Sequence, residues 1–308
     1  MEKRRFGKTG LHVSVLGFGA APIAFLKSDA TAAVKMINDL LDGGMNLIDT
    51  AMAYPGSHEF VGQHLSSRRD DYVLVSKCGH KLQGLDAPPW SPQAVTEAVD
   101  RALKQMKIEQ IDVMLLHSCD LATLQKGEAM AALVKAREAG KIRFAGYSGD
   151  NEAAAYAATL SDVAVIETSI NIADQRNIDL VLPDARANDV GIIAKRPIAN
   201  AAWKDLSSQQ GMYQKYAATY SERLAKMAID PADLGFTGEA AEVWPEIALR
   251  FTLSQPGLTT AIVGTTNPDN AKKNVALAEK GPLPPQAIQR LRDAFVECDS
   301  EGAWTGQT

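Results

Sequence analysis

The feature that most restricts the fold of this 308-residue chain is a repeating alternation of short β-branched runs with longer helical patterns. Eight strands are predicted, at Val15–Gly19, Met45–Asp49, Tyr72–Lys77, Asp112–His117, Arg143–Ser148, Val163–Ser169, Gly191–Lys195 and Thr260–Gly264. In the same order, helical patterns follow them at Thr31–Leu41, Glu59–Leu65, Pro92–Met106, Lys126–Ala139, Glu152–Leu160, Ile178–Ala187, Trp244–Leu253 and Pro268–Ala278. Strands alternating with helices imply parallel pairing. Eight such units in a chain of this length predict a closed (β/α)8 barrel, an α/β fold of the TIM-barrel type. An open doubly wound sheet is the competitor, and it needs a dinucleotide fingerprint. The one candidate, "GFGAAP" at residues 17–22, has Pro22 where the third glycine belongs, and the next strand-end carboxylate is too far along the chain.

The whole chain, residues 1–308, is expected to form a single barrel domain with two additions. "KRRFGKTGLHVS" predicts an N-terminal hairpin, Arg4–Phe6 with His12–Ser14, and Pro285–Cys298 predicts an extra C-terminal helix. Ser91 before Pro92 reads as a helix N-cap, and Gly140 as the residue that ends a helix. Residues 201–243, after the seventh strand, are too long for an ordinary loop. Long loops at the C-terminal face of a barrel usually shape substrate specificity, so this insertion is expected to face substrate and not merely decorate the surface.

Composition narrows the function. A net charge of −5 without a basic run argues against a nucleic-acid partner. Three scattered cysteines and an N-terminus without an apolar core point to the cytoplasm. No stretch approaches the roughly 18 apolar residues of a membrane span. The five histidines show no metal spacing, and no metal is expected. His58, at a helix start, and Cys78 read as structural.

Chemistry is expected at the C-terminal strand ends. The second strand ends at Asp49, the third at Lys77, the fourth at His117 and the fifth at Ser148, and Tyr54 follows Asp49 by five residues. One ionisable residue closing a strand is ordinarily structural, but ionisable residues closing three consecutive strands converge on one rim. A lysine beside a carboxylate stays charged, and its ammonium is expected to lower the pKa of a neighbouring phenol toward neutrality. Such a tyrosine serves as a general acid or base, and a histidine can orient a carbonyl oxygen. None of these groups supplies hydride, so the set implies a nicotinamide cofactor.

These motifs, "FGKTGLHVSVLGFG", "LIDTAMAYPGSHEFVG", "VLVSKCG", "IDVMLLH", "GKIRFAGYS" and "GLTTAIVGTTNPDNAKKN", resemble the aldo-keto reductase family in order and spacing over nearly the whole chain. The resemblance implies a barrel that binds NADPH, or less often NADH, at its C-terminal rim. It also implies a catalytic tetrad of Asp49, Tyr54, Lys77 and His117, with Tyr54 as general acid. Cofactor contacts are implied at Gly19, Ser148, Gly149, Glu167, Lys195, Arg196, Pro197, Gly264, Thr265, Thr266, Asn267, Asn270, Lys273 and Asn274. Gly17 and Gly19 are expected to leave room near the cofactor or substrate. Several positions depart from the family pattern. Gly149 stands where asparagine is usual, which would shift one hydrogen bond to Asp150 or Asn151. Glu167 replaces a glutamine, Lys195 or Arg196 replaces a stacking aromatic, and Asn270 replaces the arginine of the 2′-phosphate. Lys272 and Lys273 either attract that phosphate or are solvated helix charges. NADP(H) is expected over NAD(H).

The leading expectation is reduction of an aldehyde or ketone to an alcohol. The alternatives are an NAD-dependent sugar (aldose) dehydrogenase and a cofactor-binding regulatory subunit with little turnover. The partner is expected to be a small carbonyl or alcohol substrate.

Overall fold

A computed structural model describes residues 1–26, 29–209 and 212–307. The strands are β1 (Lys3–Arg5), β2 (His12–Ser14), β3 (Leu16–Gly19), β4 (Leu47–Asp49), β5 (Val73–Cys78), β6 (Ile111–His117), β7 (Ile142–Ser148), β8 (Val163–Ser169), β9 (Gly191–Lys195) and β10 (Thr260–Val263). Strands β3 to β10 pair in parallel in chain order, and β10 returns to β3 with Ile262 opposite Gly17, so the barrel closes. All eight predicted strands are present, and helices surround them.

β1 and β2 form the predicted antiparallel hairpin, with Arg4 opposite Val13. Phe6, expected within the first strand of that hairpin, instead leaves it and is fully buried. Its ring joins Val13, Leu47, Val75, Val113, Leu115, Val165 and Ile193 in a cluster inside the barrel. Gly191, at the start of β9, has no room for a Cβ against this ring. Burial of an aromatic ring outweighs one more strand pair.

Helix ends follow local chemistry. Ser91 Oγ accepts the Ala94 N–H at 3.2 Å to cap Pro92–Met106. Gly140, at φ +73°, follows the helix Glu128–Glu138 as expected. The helix predicted at Lys126–Ala139 runs over Glu128–Glu138, preceded across Gly127 by an unpredicted short helix, Leu121–Lys126. One predicted helix is broken. The helix after β8 divides at Val181 into Arg176–Leu180 and Leu182–Ala187, because Pro183 cannot donate to the preceding turn. The 201–243 insertion contains a 16-residue helix, Met212–Met227, and Ala240–Leu253 begins four residues before the predicted Trp244. Among the described residues, no helix is long and apolar enough to cross a membrane, and no cluster of His, Cys, Asp and Glu is arranged to hold a metal ion.

Replacing Phe6 with alanine empties the centre of the interior cluster. We expect Phe6→Ala to lower unfolding free energy by about 3–5 kcal/mol, measured by urea denaturation, although the residue lies far along the strands from the polar rim.

Candidate active site

Side chains two residues apart on a strand share a face. The buried interior cluster contains Leu47, Val75, Leu115, Val165 and Ile193. Two residues later on the same strands come Asp49, Lys77, His117, Glu167 and Lys195, and Ser148 occupies the equivalent end of β7. The barrel interior is therefore apolar in its middle layers and ionisable in its last one. Positive φ values at Trp90, Ser118, Asn151, Arg196, Ala199 and Ala201 fall in the loops that follow these strand ends. Backbone strain is thus concentrated at the polar rim.

Lys77 is the centre of this layer. Its ammonium is fully buried and donates to both Asp49 oxygens, at 2.6 and 2.7 Å, and to the Thr50 carbonyl at 3.2 Å. Glu167 Oε2 lies 3.2 Å from the same ammonium but outside hydrogen-bonding geometry, and it has no hydrogen-bond partner. Burial opposes the lysine charge, but the two carboxylates overcome it and raise the Lys77 pKa above its ordinary value. The Asp49 pKa is also raised, by burial and then by Glu167, against the pull of Lys77. Two carboxylates confined around one ammonium keep Lys77 charged and make Asp49 harder to ionise.

Lys77 Nζ lies 5.2 Å from the centre of the Tyr54 ring, and the His117 ring meets Tyr54 edge-on at 6.2 Å. The expected acidification of Tyr54 is not found: its pKa is raised above the ordinary phenol value. Burial is the largest cause. Lys77 pulls downward, while Asp49 and Glu167 add to the rise. The expectation weighed the ammonium and counted neither burial nor the two carboxylates that oppose it. The His117 pKa is lowered by burial and by the charge of Lys77, so its imidazole is neutral, and its buried Nδ1 has no partner. His80 packs against His117 at 4.7 Å, and Trp90 Nε1 donates to the His117 carbonyl at 3.1 Å. Phe25 closes against Tyr54 from the other side, 5.5 Å away. Cys78 is buried and its thiol pKa is raised by that burial, and His58, lowered to about 4 by burial, bonds Ser76 Oγ at 2.8 Å.

The structure accounts for Gly149. A Cβ there would overlap the ring and hydroxyl of Tyr147, whose O–H donates to the Cys119 carbonyl at 2.7 Å. Asp150 and Asn151, the proposed substitutes, are both engaged. Asp150 accepts from Thr168 Oγ1, the Ser169 N–H and Asn177 Nδ2, and it pairs with Lys195 at 3.1 Å. Asn151 exchanges hydrogen bonds with the backbone of Gly306.

Arg196 donates to Ser169 Oγ at 3.0 Å and to the Gln307 carbonyl, and it lies 3.9 Å over the Tyr216 ring. The adjoining Pro197 is buried, and its carbonyl accepts from Thr252 Oγ1 at 3.0 Å. Tyr220 O–H donates to Asp174, whose pKa burial and Asp150 raise to about 7 against Arg223. Sequence reasoning named Arg196, Pro197 and the insertion but missed the residues that tie them together. Tyr213, Tyr216, Tyr220 and Arg223 share one helix face by spacing, a signal that was available. The tail residues Gly306 and Gln307 carry no pattern that would place them here.

At the β3–β10 seam, Gly19 and Gly264 lie side by side, and Gly264 has no space for a Cβ against the Gly19 carbonyl. Gly17 instead makes room for Leu47, a packing role inside the barrel. Thr265 Oγ1 accepts the Asn267 N–H at 3.0 Å, and Asn267 caps the helix Pro268–Ala278 through the Asp269 N–H at 2.9 Å. Thr266 is half-buried beside them, Asn270, Lys272 and Lys273 are exposed, and Asn274 is buried.

The aldo/keto reductase family profile matches residues 15–295. The chain belongs to the aldo/keto reductase family. It is 27% identical to L-galactose dehydrogenase of Arabidopsis thaliana over 90% of this chain and 88% of that protein. It is 23% identical to the NADH-specific methylglyoxal reductase of Escherichia coli over 90% and 93% of the two chains. The solved holo form of an aldo-keto reductase from Bacillus halodurans superposes with a TM-score of 0.78, at 26% identity over 96% of each chain. As an aldo-keto reductase, the protein is an NAD(P)H-dependent oxidoreductase acting on carbonyl and alcohol groups.

The charge balance predicts unequal consequences of two substitutions. Lys77→Met strands two buried carboxylates and is expected to cost about 3–5 kcal/mol of stability. Glu167→Gln leaves a matched Lys77–Asp49 pair and is expected to stay within about 1 kcal/mol of the parent or exceed it. Denaturant titrations of both variants provide the comparison.

Proposed function

We propose that this aldo-keto reductase reduces an aldehyde or ketone to an alcohol, with Tyr54 as the proton donor to the carbonyl oxygen. The observation that carries the reading is the convergence of Asp49, Lys77 and His117 on Tyr54 from three neighbouring strands. A raised Tyr54 pKa suits this role, because the phenol remains protonated at neutral pH and gives up its proton as negative charge develops on the substrate oxygen. Lys77, kept charged by Asp49, stabilises the phenolate left behind. Neutral His117 hydrogen-bonds the carbonyl and fixes its orientation. Half-exposed Tyr54 lies between Phe25 and His117, with His80 and Trp90 beyond, so the substrate approaches past an aromatic wall.

The residues present fit a nicotinamide dinucleotide. Glu167 has a buried acceptor without a partner, Ser148 lies beside it on β7, and the helix starting at Pro268 directs N–H groups toward its capped end. The cofactor, when bound, supplies the hydride. Glu167, Ser148 and the segment Gly264–Asn267 would hold it, with Asn270, Lys273 and Asn274 at the adenosine end. Exposed Lys272 and Lys273 supply positive charge for a 2′-phosphate and support NADP(H). Asn270, standing in place of arginine, favours a second reading: an NAD-dependent aldose dehydrogenase, in keeping with the similarity to L-galactose dehydrogenase.

Tyr54→Phe is expected to lower turnover by about 10²- to 10⁴-fold, the usual contribution of a positioned acid, while cofactor affinity stays within a few-fold. Loss of cofactor binding in this variant would show the roles to be misassigned. Quenching of the protein's tryptophan fluorescence by NADPH and NADH settles the cofactor. Tighter binding of NADPH is expected, and a large advantage for NADH would support the second reading.

A further inference from the structure

We propose that Glu167 makes the site bind the oxidised nicotinamide more tightly than the reduced form. The inference rests on the reading above, that the nicotinamide binds at this end of the barrel.

The Lys77 charge is already matched by Asp49 through two short hydrogen bonds. Glu167 is therefore a second buried carboxylate beside a single ammonium. It is 2% exposed, and its Oε2 accepts no hydrogen bond. A glutamine would fill the same volume without the desolvation cost of a charge, so structure alone does not call for a carboxylate here.

Among the described residues, the neighbouring strand ends offer no unpaired counter-charge for Glu167. In register with it on β9 is Ile193, and on β7 Ser148, both uncharged. Lys195, at the end of β9, is paired with Asp150 at 3.1 Å. Arg196 is committed to Ser169, the Gln307 carbonyl and the Tyr216 ring. On β6, His117 is neutral, and Tyr54, after β4, is protonated. The cluster around Lys77 is therefore short of one positive charge: one ammonium faces two buried carboxylates.

An oxidised nicotinamide ring carries one positive charge and a reduced one carries none. A positive ring beside the two carboxylates supplies that missing charge. A neutral ring leaves the pair as it is. Glu167 thus strengthens binding of the oxidised form selectively. The corollary is that the bound reduced cofactor is the stronger hydride donor, while the oxidised product is retained.

Dissociation constants for both redox forms, measured at pH 8 by fluorescence quenching and calorimetry, test the assignment. Glu167→Gln is expected to weaken the oxidised form about tenfold and the reduced form less than about threefold. A tenfold change in that ratio corresponds to a rise of about 30 mV in the potential of the bound couple. Glu167→Asp, which keeps the charge, is expected to retain most of the parent's ratio. The proposal is overturned if the ratio in Glu167→Gln stays within twofold of the parent, or if Glu167→Asp shifts as far as Glu167→Gln. Failure of the parent protein to bind either form would instead overturn the functional reading on which the proposal stands.

Discussion

The ion cluster around Lys77 governs the rest of the site. An ammonium with no solvent contact survives inside a barrel only if other strands deliver its counter-charges. β4 brings Asp49 to within 2.6 Å and β8 brings Glu167 to 3.2 Å, from positions that continue the apolar stripes of their strands by one step. The closed parallel sheet holds these groups in place, because none can move without displacing the interior layer beneath it. Tyr54 and His117 take their protonation states from this cluster: both remain neutral because burial and the nearby charges disfavour their ionised forms.

The same constraint explains a division of labour around the rim. From β4 to β6 the strand ends supply the groups suited to proton transfer. From β7 to β9, apart from Glu167, the residues at and after the strand ends form a different network, in which Asp150, Thr168, Ser169, Asn177 and Arg196 bind one another and the C-terminal tail. The helix Met212–Met227 closes this second region through Tyr216, Tyr220 and Arg223. The insertion after β9 therefore packs on the rim.

Much of this was legible along the chain. All eight barrel strands were located by their β-branched runs. Asp49, Lys77 and His117 stood out because each closes an apolar run with an ionisable group. Other features were not legible. The displacement of Phe6 from its strand depends on a cavity that exists only once Leu47, Leu115 and Ile193 face one another. The break before Pro183 is a small shift of the chain within an otherwise helical pattern, and the short helix Leu121–Lys126 was not predicted. The fit of Gly149 depends on Tyr147, whose ring occupies the space that an asparagine would need.

Periodicity settled the class of fold, and the residue types at strand ends settled the kind of chemistry, because both are properties of short segments. The proton balance was decided only in three dimensions. Sequence order separates Asp49, Lys77 and Glu167 by dozens of residues, and it said that a lysine beside a carboxylate should acidify the tyrosine. Barrel closure places a second carboxylate on the same ammonium in a buried site. The sign of the Tyr54 shift follows from that count of charges and from burial, neither of which a linear sequence displays.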